Sequence, residues 1–521
     1  MTKTTTTTTT TTTISNKRVV IVGGGPSGAA AAKAMADRGY TNVHVYDAYP
    51  HPKSLATTSS KAYVIALSPR GQQGILDATG IDVAKEAASD KGRSAASCCE
   101  GVVSTDMARH VYNAKKKKTS SRVRNHAESI STIVPRKALT ERLLEAATES
   151  GAHVHYQHRL NKVDFENRIA RMEVGDKHKE TKTIEVEYDL LIGADGCHSR
   201  VRNLMVENQT VLKDFTARIE KDSMEYQVVV LPESPFANTH PEGTVHSWNS
   251  KELNSICLGF PMRKKDTNNF SMLFAVVFPG GKLESFRTTG YKEPLTKLLP
   301  DMFSDDTNGE NNLNEFTRQL RKNHIANGGL CVWSSSLGHA YEDAKGNASG
   351  VVLLGDSAHG MWPSLGQGAN CALESVAVFV RCLDEIASKG IESASASWTN
   401  ELIQTYHDAR FEDAKAAVDL TYGGIGSRKS RGRLNAPLSY KLQMVGMVLL
   451  HKLTFGIVPM PALLRIMMGK KMSYSTAKKL NFYYEKYICL GALVLFAGMC
   501  IVAKTGLPNF SGTTKTSSIE L

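Results

Sequence analysis

The chain has 521 residues, 41% of them hydrophobic, enough to bury a large core and more than one compact domain usually takes. Its 63 Lys and Arg against 51 Asp and Glu give a net charge of +12, which favours phospholipid headgroups or acidic small molecules. Apart from a run at Lys115–Lys118 the basic residues are dispersed, which argues against nucleic acid, and the nine cysteines, without regular spacing or a CxxC pair, indicate neither a disulfide framework nor a zinc site.

Residues 1–16 are a threonine tract without the apolar core of a secretory signal, and a disordered tail is expected there. KRVVIV (Lys17–Val22) reads as a short buried strand, the alanine-rich stretch Gly28–Arg38 as a helix, and VHVYD (Val43–Asp47) as a second strand. This β-α-β unit predicts a doubly wound sheet. GGGPSG stands at its first turn. Gly23 permits the tight turn, Gly25 lets the backbone approach a pyrophosphate, and Gly28 lets helix pack against strand. The helix N-terminus offers unpaired N–H groups and a positive dipole end to phosphates. Asp47, closing the second strand, is placed to accept hydrogen bonds from ribose hydroxyls. A dinucleotide site follows.

Two later apolar runs, DLLIGAD ending at Asp195 and GVVLLGD ending at Asp356, are expected to rejoin that sheet. After Asp356 the chain returns through Pro363 and two glycines into a new helix. Its first N–H groups, from Gly368, Ala369 and Asn370, suit a planar ring that carries negative charge. A reduced flavin is such a ring, so the expected dinucleotide is FAD. Between the two runs, MEYQVVVL, NSICLGF and MLFAVVF alternate with period 2 and predict an inserted, mostly antiparallel sheet. From Glu374 onward the pattern is helical. Tyr487–Ala503 is free of charge over seventeen residues, at the lower edge of what spans a bilayer. Lys478, Lys479 and Lys486 before it outweigh Lys504 and Lys515 after it, so the catalytic body is expected in the cytosol. A buried core helix and a hairpin within one leaflet stay open as alternatives.

The fold class is therefore α/β: a Rossmann-like FAD-binding domain, an inserted antiparallel substrate domain and a C-terminal helical, membrane-associated region. The expected division is a tail (1–16), the FAD-binding domain (17–203 and 338–385), the substrate domain (204–337), a helical region (386–480), a membrane anchor (487–503) and a second tail (504–521).

GxGxxG, DGxxSxVR (Asp195–Arg202) and GDxxHxxxPxxGQGxN, in this order over residues 17–385, resemble the signature set of the single-component flavoprotein hydroxylases with the para-hydroxybenzoate hydroxylase fold. ALSPRGQQGILDATGI (Ala66–Ile81), VPRKALTERLL with Arg136, HYQHRLNKV (His155–Val163) and the apolar C-terminal region are similar to the kynurenine 3-monooxygenase group of that family. The resemblance implies FAD contacts at Ser27, Asp47, Ala66, Arg136, Leu160, Asp195, Asp356, Ala369 and Asn370, with the Asp195 motif also serving NADPH. It implies a transient NADPH co-substrate, O2 as oxygen source through a C4a-hydroperoxyflavin, an aromatic small-molecule substrate, no metal, and residence at the mitochondrial outer membrane. Arg136 also has sense of its own, because a guanidinium near flavin or pyrophosphate offsets their charge.

The substrate side departs from that group, which holds an amino acid with an Arg, two Tyr and an Asn. Ungapped placement sets Tyr112 at the first tyrosine, but Cys99 and Glu100 near the arginine, Gly424 near the asparagine and Ile466 near the second tyrosine. Arg93, Arg109, Arg428 and Arg431 lie nearby in sequence. Ser364 and Leu365 replace a double phenylalanine beside the flavin. A buried amino acid without a cation for its carboxylate is poorly paired. Pocket candidates are Tyr112, Trp362, which either stacks near the ring or fills core, and Pro363, which shapes the turn; His359 is expected to make a structural hydrogen bond. Two other functions stay open: an epoxidase or quinone-ring hydroxylase with a hydrophobic isoprenoid substrate, and a non-redox binding protein on the same fold.

Overall fold

The computed structural model describes residues 16–54, 63–88, 101–104, 106–113, 118–125, 130–175, 182–263, 270–303, 307–391, 395, 397–423, 438–467, 469 and 472–505. The expectations for residues 1–15, Arg93, Cys99, Glu100, Lys115–Lys117, Gly424, Arg428, Arg431 and the tail after 505 lie outside the described residues, as do the side chains of Tyr112 and Ser364.

Strand β1 (Val19–Val22), buried throughout, leads through the glycine turn into α1 (Pro26–Asp37) and β2 (Val43–Asp47). Pro26 fits the first turn of α1, where an N–H would find no partner in the helix. β3 (Val64–Leu67), α2 (Pro69–Thr79) and α3 (Val83–Ala88) follow, then β4 (Val102–Ser104), β5 (Asp106–Asn113), β6 (Lys118–Asn125) and β7 (Ser131–Pro135). Next come α4 (Arg136–Glu149), β8 (His153–Tyr156), a meander of β9 (His158–Asp164), β10 (Ile169–Val174) and β11 (Lys182–Glu187), then β12 (Leu190–Gly193) and α5 (Arg200–Glu207).

The middle of the chain supplies β13 (Ala217–Lys221), β14 (Met224–Leu231), β15 (Val245–Ser250), β16 (Ser255–Arg263) and β17 (Phe270–Pro279), followed by α6 (Lys282–Thr289), α7 (Lys292–Leu298) and α8 (Thr307–Lys322). β18 (Ala326–Asn327), β19 (Leu330–Ser334), β20 (Gly338–Glu342) and β21 (Ala348–Leu353) return the chain to α9 (Asp356–His359) and α10 (Gly368–Ser388). The C-terminal part holds α11 (Trp398–Gly423), α12 (Leu438–Leu453), α13 (Ala462–Met467), α14 (Tyr474–Lys479) and α15 (Glu485–Thr505).

Two sheets organise the molecule. One has six strands in the order β20-β21-β12-β1-β2-β8, all parallel except β20. β12 and β21, 150 or more residues from β1, do rejoin the sheet. Because β1, β2, β12 and β21 run the same way, the glycine turn, Asp47, Asp195 and Asp356 all follow strand ends on one edge, where open α/β sheets bind ligands. Ala29, Ala30, Ala31, Ala32 and Ala34 of α1 are fully buried, and their small side chains let the helix sit close to its neighbours.

The other sheet has seven strands in the order β18-β14-β17-β16-β15-β5-β6. Its alternation is that of a sheet with one face packed on a core: Val229, Leu231, Trp248, Phe274 and Val276 join Leu295, Leu298, Phe316 and Leu320 of the overlying helices. Two of its strands, β5 and β6, come from residues 106–125, in the stretch expected to belong to the nucleotide-binding part; β5 pairs in parallel with β15. A parallel pairing between segments so far apart leaves no turn signal in the sequence.

The C-terminal region is helical, as expected, and divides in two. α11 buries Trp398, Leu402, Ile403 and Tyr406 in the core of the parallel sheet. α12 and α15 instead expose apolar side chains, among them Leu442 62%, Val445 66%, Leu493 65% and Leu495 70%. α15 is thus no core helix. Tyr474–Cys500 is long and apolar enough to cross a membrane.

Candidate functional site

The glycine turn works as its spacing implies. Gly23 has φ +103°, and a Cβ there would lie 2.4 Å from the Ala194 carbonyl oxygen, so the turn after β1 closes directly onto the end of β12. A Cβ at Gly28 would fall 1.9 Å from Gly23 O. The first hydrogen bond of α1 runs from Ala29 N to Gly25 O at 2.9 Å, so the N–H groups of Ser27 and Gly28 are those that a helix start leaves over. Asp47 braces the turn: Gly24 N donates to its Oδ2 at 2.7 Å and Tyr49 N to its Oδ1 at 2.8 Å. Each oxygen keeps a lone pair for a further donor such as a ribose hydroxyl.

Asp195 accepts from Arg200 N at 2.6 Å, from Val201 N at 3.2 Å and from Ser357 Oγ at 3.3 Å. It caps α5 and ties that helix to the loop after β21. Burial pushes its carboxyl above the usual range, opposed by Ser199 and the two backbone donors. Asp356 differs. Its Oδ1 is buried with no hydrogen-bond partner, and burial raises its carboxyl against the pull of Arg136. An orphaned buried carboxylate oxygen is costly unless a ligand supplies the donor. Ribityl hydroxyls are such donors.

Arg136 starts α4, its N donating to Tyr63 O at 2.9 Å, and its guanidinium lies 5.7 Å from the Tyr63 ring centroid. A Cβ on Gly25 would stand 3.2 Å from Arg136 Nη2, so the cation faces the glycine turn. Tyr63, Asp195 and Asp356 each keep accessible surface and yet are densely surrounded by protein, as groups lining a concavity are. Tyr226, on β14, has its phenol pushed up to about 12 by burial, with Tyr63, Cys197 and Arg136 near enough for their charges to act on it. Tyr226 thus stands on the face of the antiparallel sheet opposite to Val229 and Leu231, on the side of Tyr63 and Arg136. Neither Tyr63 nor Tyr226 was singled out from sequence; the only hint for Tyr226 is its parity, opposite to Val229 and Leu231 in β14.

At the start of α10, Cys371 N bonds Gln367 O at 2.8 Å, which leaves the N–H groups of Gly368, Ala369 and Asn370 at the open end of the helix. The Asn370 side chain is a strut within the protein. It accepts from Ser68 N at 2.9 Å and donates to Ala66 O at 3.1 Å and to Gly366 O at 2.9 Å, joining β3 to the loop before α10. Ser27 Oγ stands 2.7 Å from the position of a Cβ on Gly355, whose φ is +61°, so α1 and the β21 loop touch. The structure thus brings together Gly23, Gly25, Ser27, Gly28, Asp47, Arg136, Asp195, Asp356 and the N-terminus of α10. Leu160 is a buried core residue of β9, 5% exposed.

Of the pocket candidates, Trp362 is 4% exposed and packs with Cys331 and Val418, its ring 5.1 Å from that of Tyr422; it fills core. Pro363 is exposed and opens a short 3-10 turn. Tyr112 lies in β5 opposite Thr119 of β6. His359 is buried, its Nε2 2.8 Å from Ser375 Oγ, and burial with the Arg410 charge lowers it to about 3. Leu365 and Ile466, 4% and 0% exposed, are spent in a cluster that docks α13 and α14 on the flavin-side loop. That dock has a polar part: Tyr474 OH donates to Gln367 Oε1 at 3.0 Å, the Arg70 guanidinium covers the Tyr474 ring at 4.3 Å, and Arg410 pairs with Glu374 at 2.8 Å.

A glycine-lined strand end, an unpartnered carboxylate oxygen, a facing guanidinium and an open helix start fit a flavin dinucleotide, and together they define a flavoprotein. Residues 16–276 match the model of the FAD binding domain family, and the chain belongs to that family. It is 31% identical over 303 residues to kynurenine 3-monooxygenase of Chaetomium globosum, an alignment that spans 55% of this chain and 59% of that protein. It is 26% identical over 407 residues to kynurenine 3-monooxygenase of Candida albicans, spanning 75% of this chain and 79% of the relative. These relatives place it with the FAD-dependent monooxygenases. The tetrameric form of 2-methyl-3-hydroxypyridine-5-carboxylic acid oxygenase shares the fold, with TM-score 0.57 and 16% identity over 88% of this chain and 99% of that one.

Proposed function

We propose that the chain is an NADPH-driven aromatic-ring hydroxylase of the kynurenine 3-monooxygenase type, held at a membrane by α12 and α15. Asp356 carries the reading: a carboxylate oxygen buried without a partner at the switch edge of the sheet makes sense with a polyol chain against it. FAD bound there would supply the redox chemistry, accepting hydride and activating O2. The chain's own residues hold and shield it. Gly23, Gly25, Ser27 and Gly28 present backbone to the pyrophosphate and Asp47 takes ribose hydroxyls. Arg136 balances negative charge, and the N–H groups of Gly368, Ala369 and Asn370 face the ring. Tyr63 and Tyr226 wall the side from which the antiparallel sheet approaches, where an aromatic substrate is oriented and water kept out.

The exposed apolar faces of α12 and α15 support a lipid contact, because patches of this kind are rare on soluble monomers. The bias of Lys478, Lys479 and Lys486 supports a cytosolic catalytic body, and the relatives' type suggests the mitochondrial outer membrane. Leu365 and Ile466 are fully used in packing, so they lend nothing to an isoprenoid substrate. The test is purification in detergent followed by NADPH oxidation with L-kynurenine, a panel of phenols and isoprenoid lipids. Hydroxylated product from kynurenine or a phenol, in step with NADPH consumed, is expected. Oxidised lipid alone, or a colourless protein that takes up no FAD, overturns the reading.

A further inference from the structure

On the helix-packed side of the antiparallel sheet, away from Tyr226 and the flavin edge, three histidines meet. His110 is on β5, His246 on β15 and His240 in the connection before β15. One ligand nitrogen from each lies within 4.8 Å of the others. His110 Nε2 is 2.9 Å from His246 Nδ1, and Asp301 Oδ2 is 2.5 Å from His110 Nδ1. Trp248 Nε1 donates to the other Asp301 oxygen at 2.8 Å, fixing the carboxylate. His240 reaches Ser121 Oγ at 3.0 Å through Nε2 and Thr239 Oγ1 at 2.9 Å through Nδ1.

We infer that His110, His240 and His246 form a binding site for a divalent cation of the zinc class, with Asp301 as the carboxylate that orients His110. An imidazole that gives its Nδ1–H to a carboxylate turns a bare Nε2 lone pair to the opposite side, the usual arrangement behind a zinc-bound histidine. Two nitrogens on one tetrahedral zinc stand about 3.3 Å apart, given Zn–N bonds of about 2.0–2.1 Å. The His110–His246 contact needs to open by only a few tenths of an ångström, and half-exposed His240 swings in by exchanging a hydroxyl partner for the metal. A fourth position remains for water.

The ion would staple the β5–β6 edge to β15 and the connection leading into it, two stretches that the chain separates by more than a hundred residues. Full-length protein with its flavin bound, stripped with chelator and dialysed, is titrated with zinc chloride against a chromogenic chelator and analysed for bound zinc. One equivalent per chain is expected, with a rise in Tm. His246→Ala and His240→Ala lose it, and Asp301→Asn binds roughly 10–100-fold more weakly. Unchanged flavin absorbance reports intact folding; if His246→Ala does not fold, half-exposed His240 decides. His44→Ala, in the separate His44–His155 contact of the parallel sheet, keeps the zinc. Absence of stoichiometric zinc, undiminished binding in His240→Ala, or its loss in His44→Ala overturns the assignment.

Discussion

Alanines line α1 where it packs beside the parallel sheet, and Gly23 and Gly28 bring backbone to backbone at the turn that opens it. Behind the antiparallel sheet stand Trp248, Phe274 and Phe316, each 2% exposed or less. The first region removes side chains so that main-chain N–H groups and a few carboxylates reach a ligand; the second adds bulk so that a sheet becomes a rigid wall. Damage to the first should therefore appear in cofactor retention, and damage to the second in stability.

The sharpest break is a pair of glycines. Gly28→Val drives a Cβ into Gly23 O and is expected to cost upwards of about 4 kcal/mol, abolishing fold and colour together. Gly368→Val meets nothing nearer than Met361 Cγ at 3.8 Å, so circular dichroism should stay native while flavin is lost, the obstruction falling on the ligand alone. A yellow, fully active Gly368→Val protein would contradict the placement. Next is Trp248→Ala, expected to lower stability by about 3–5 kcal/mol in denaturant titration while the protein, until it unfolds, keeps its flavin spectrum.

Asp356→Asn separates the two regions more finely. Because the folded carboxyl is raised, its charged form costs stability above that raised value and nothing below the unfolded one; removing the charge should leave apoprotein Tm at pH 7 unchanged or higher. Flavin affinity should nevertheless fall about 10- to 150-fold, the loss of one charge-assisted hydrogen bond of about 1.5–3 kcal/mol. His359, lowered to about 3, works in the other direction: its contribution is complete above about 6.5 and is lost as pH falls toward the folded value. At pH 5 that is about 2 kcal/mol, and His359→Gln should flatten the acid limb of a Tm-against-pH curve. The smallest effect is expected from Tyr226→Phe: full flavin content, with a few-fold change in coupling of NADPH to product, since one hydrogen bond is worth about 0.5–1.5 kcal/mol.

Much of the flavin edge was legible because its chemistry is local. GGGPSG lies between a strand and a helix, and Asp47, Asp195 and Asp356 each follow an apolar run, so strand periodicity alone carries them to one edge. Trp362 shows the limit, since its position in the loop after Asp356 suited stacking on a ring as well as packing against Tyr422. Tyr63 precedes its strand without any motif. Tyr226 sits in an alternating run whose two faces only the surrounding helices distinguish.

By itself the sequence determined β1, α1 and β2 with the glycine turn between them, the later strands β12 and β21, the alternating strands β14, β16 and β17, and the helical, apolar C-terminal region, because hydrophobic period and turn chemistry act over a few residues. The tertiary structure alone decided that β5 and β6 complete the antiparallel sheet, that Asn370 is a strut between β3 and α10, and that His110, His240 and His246 share one place. Those facts depend on contacts between segments far apart in the chain, and long-range pairing leaves no periodic trace in either partner.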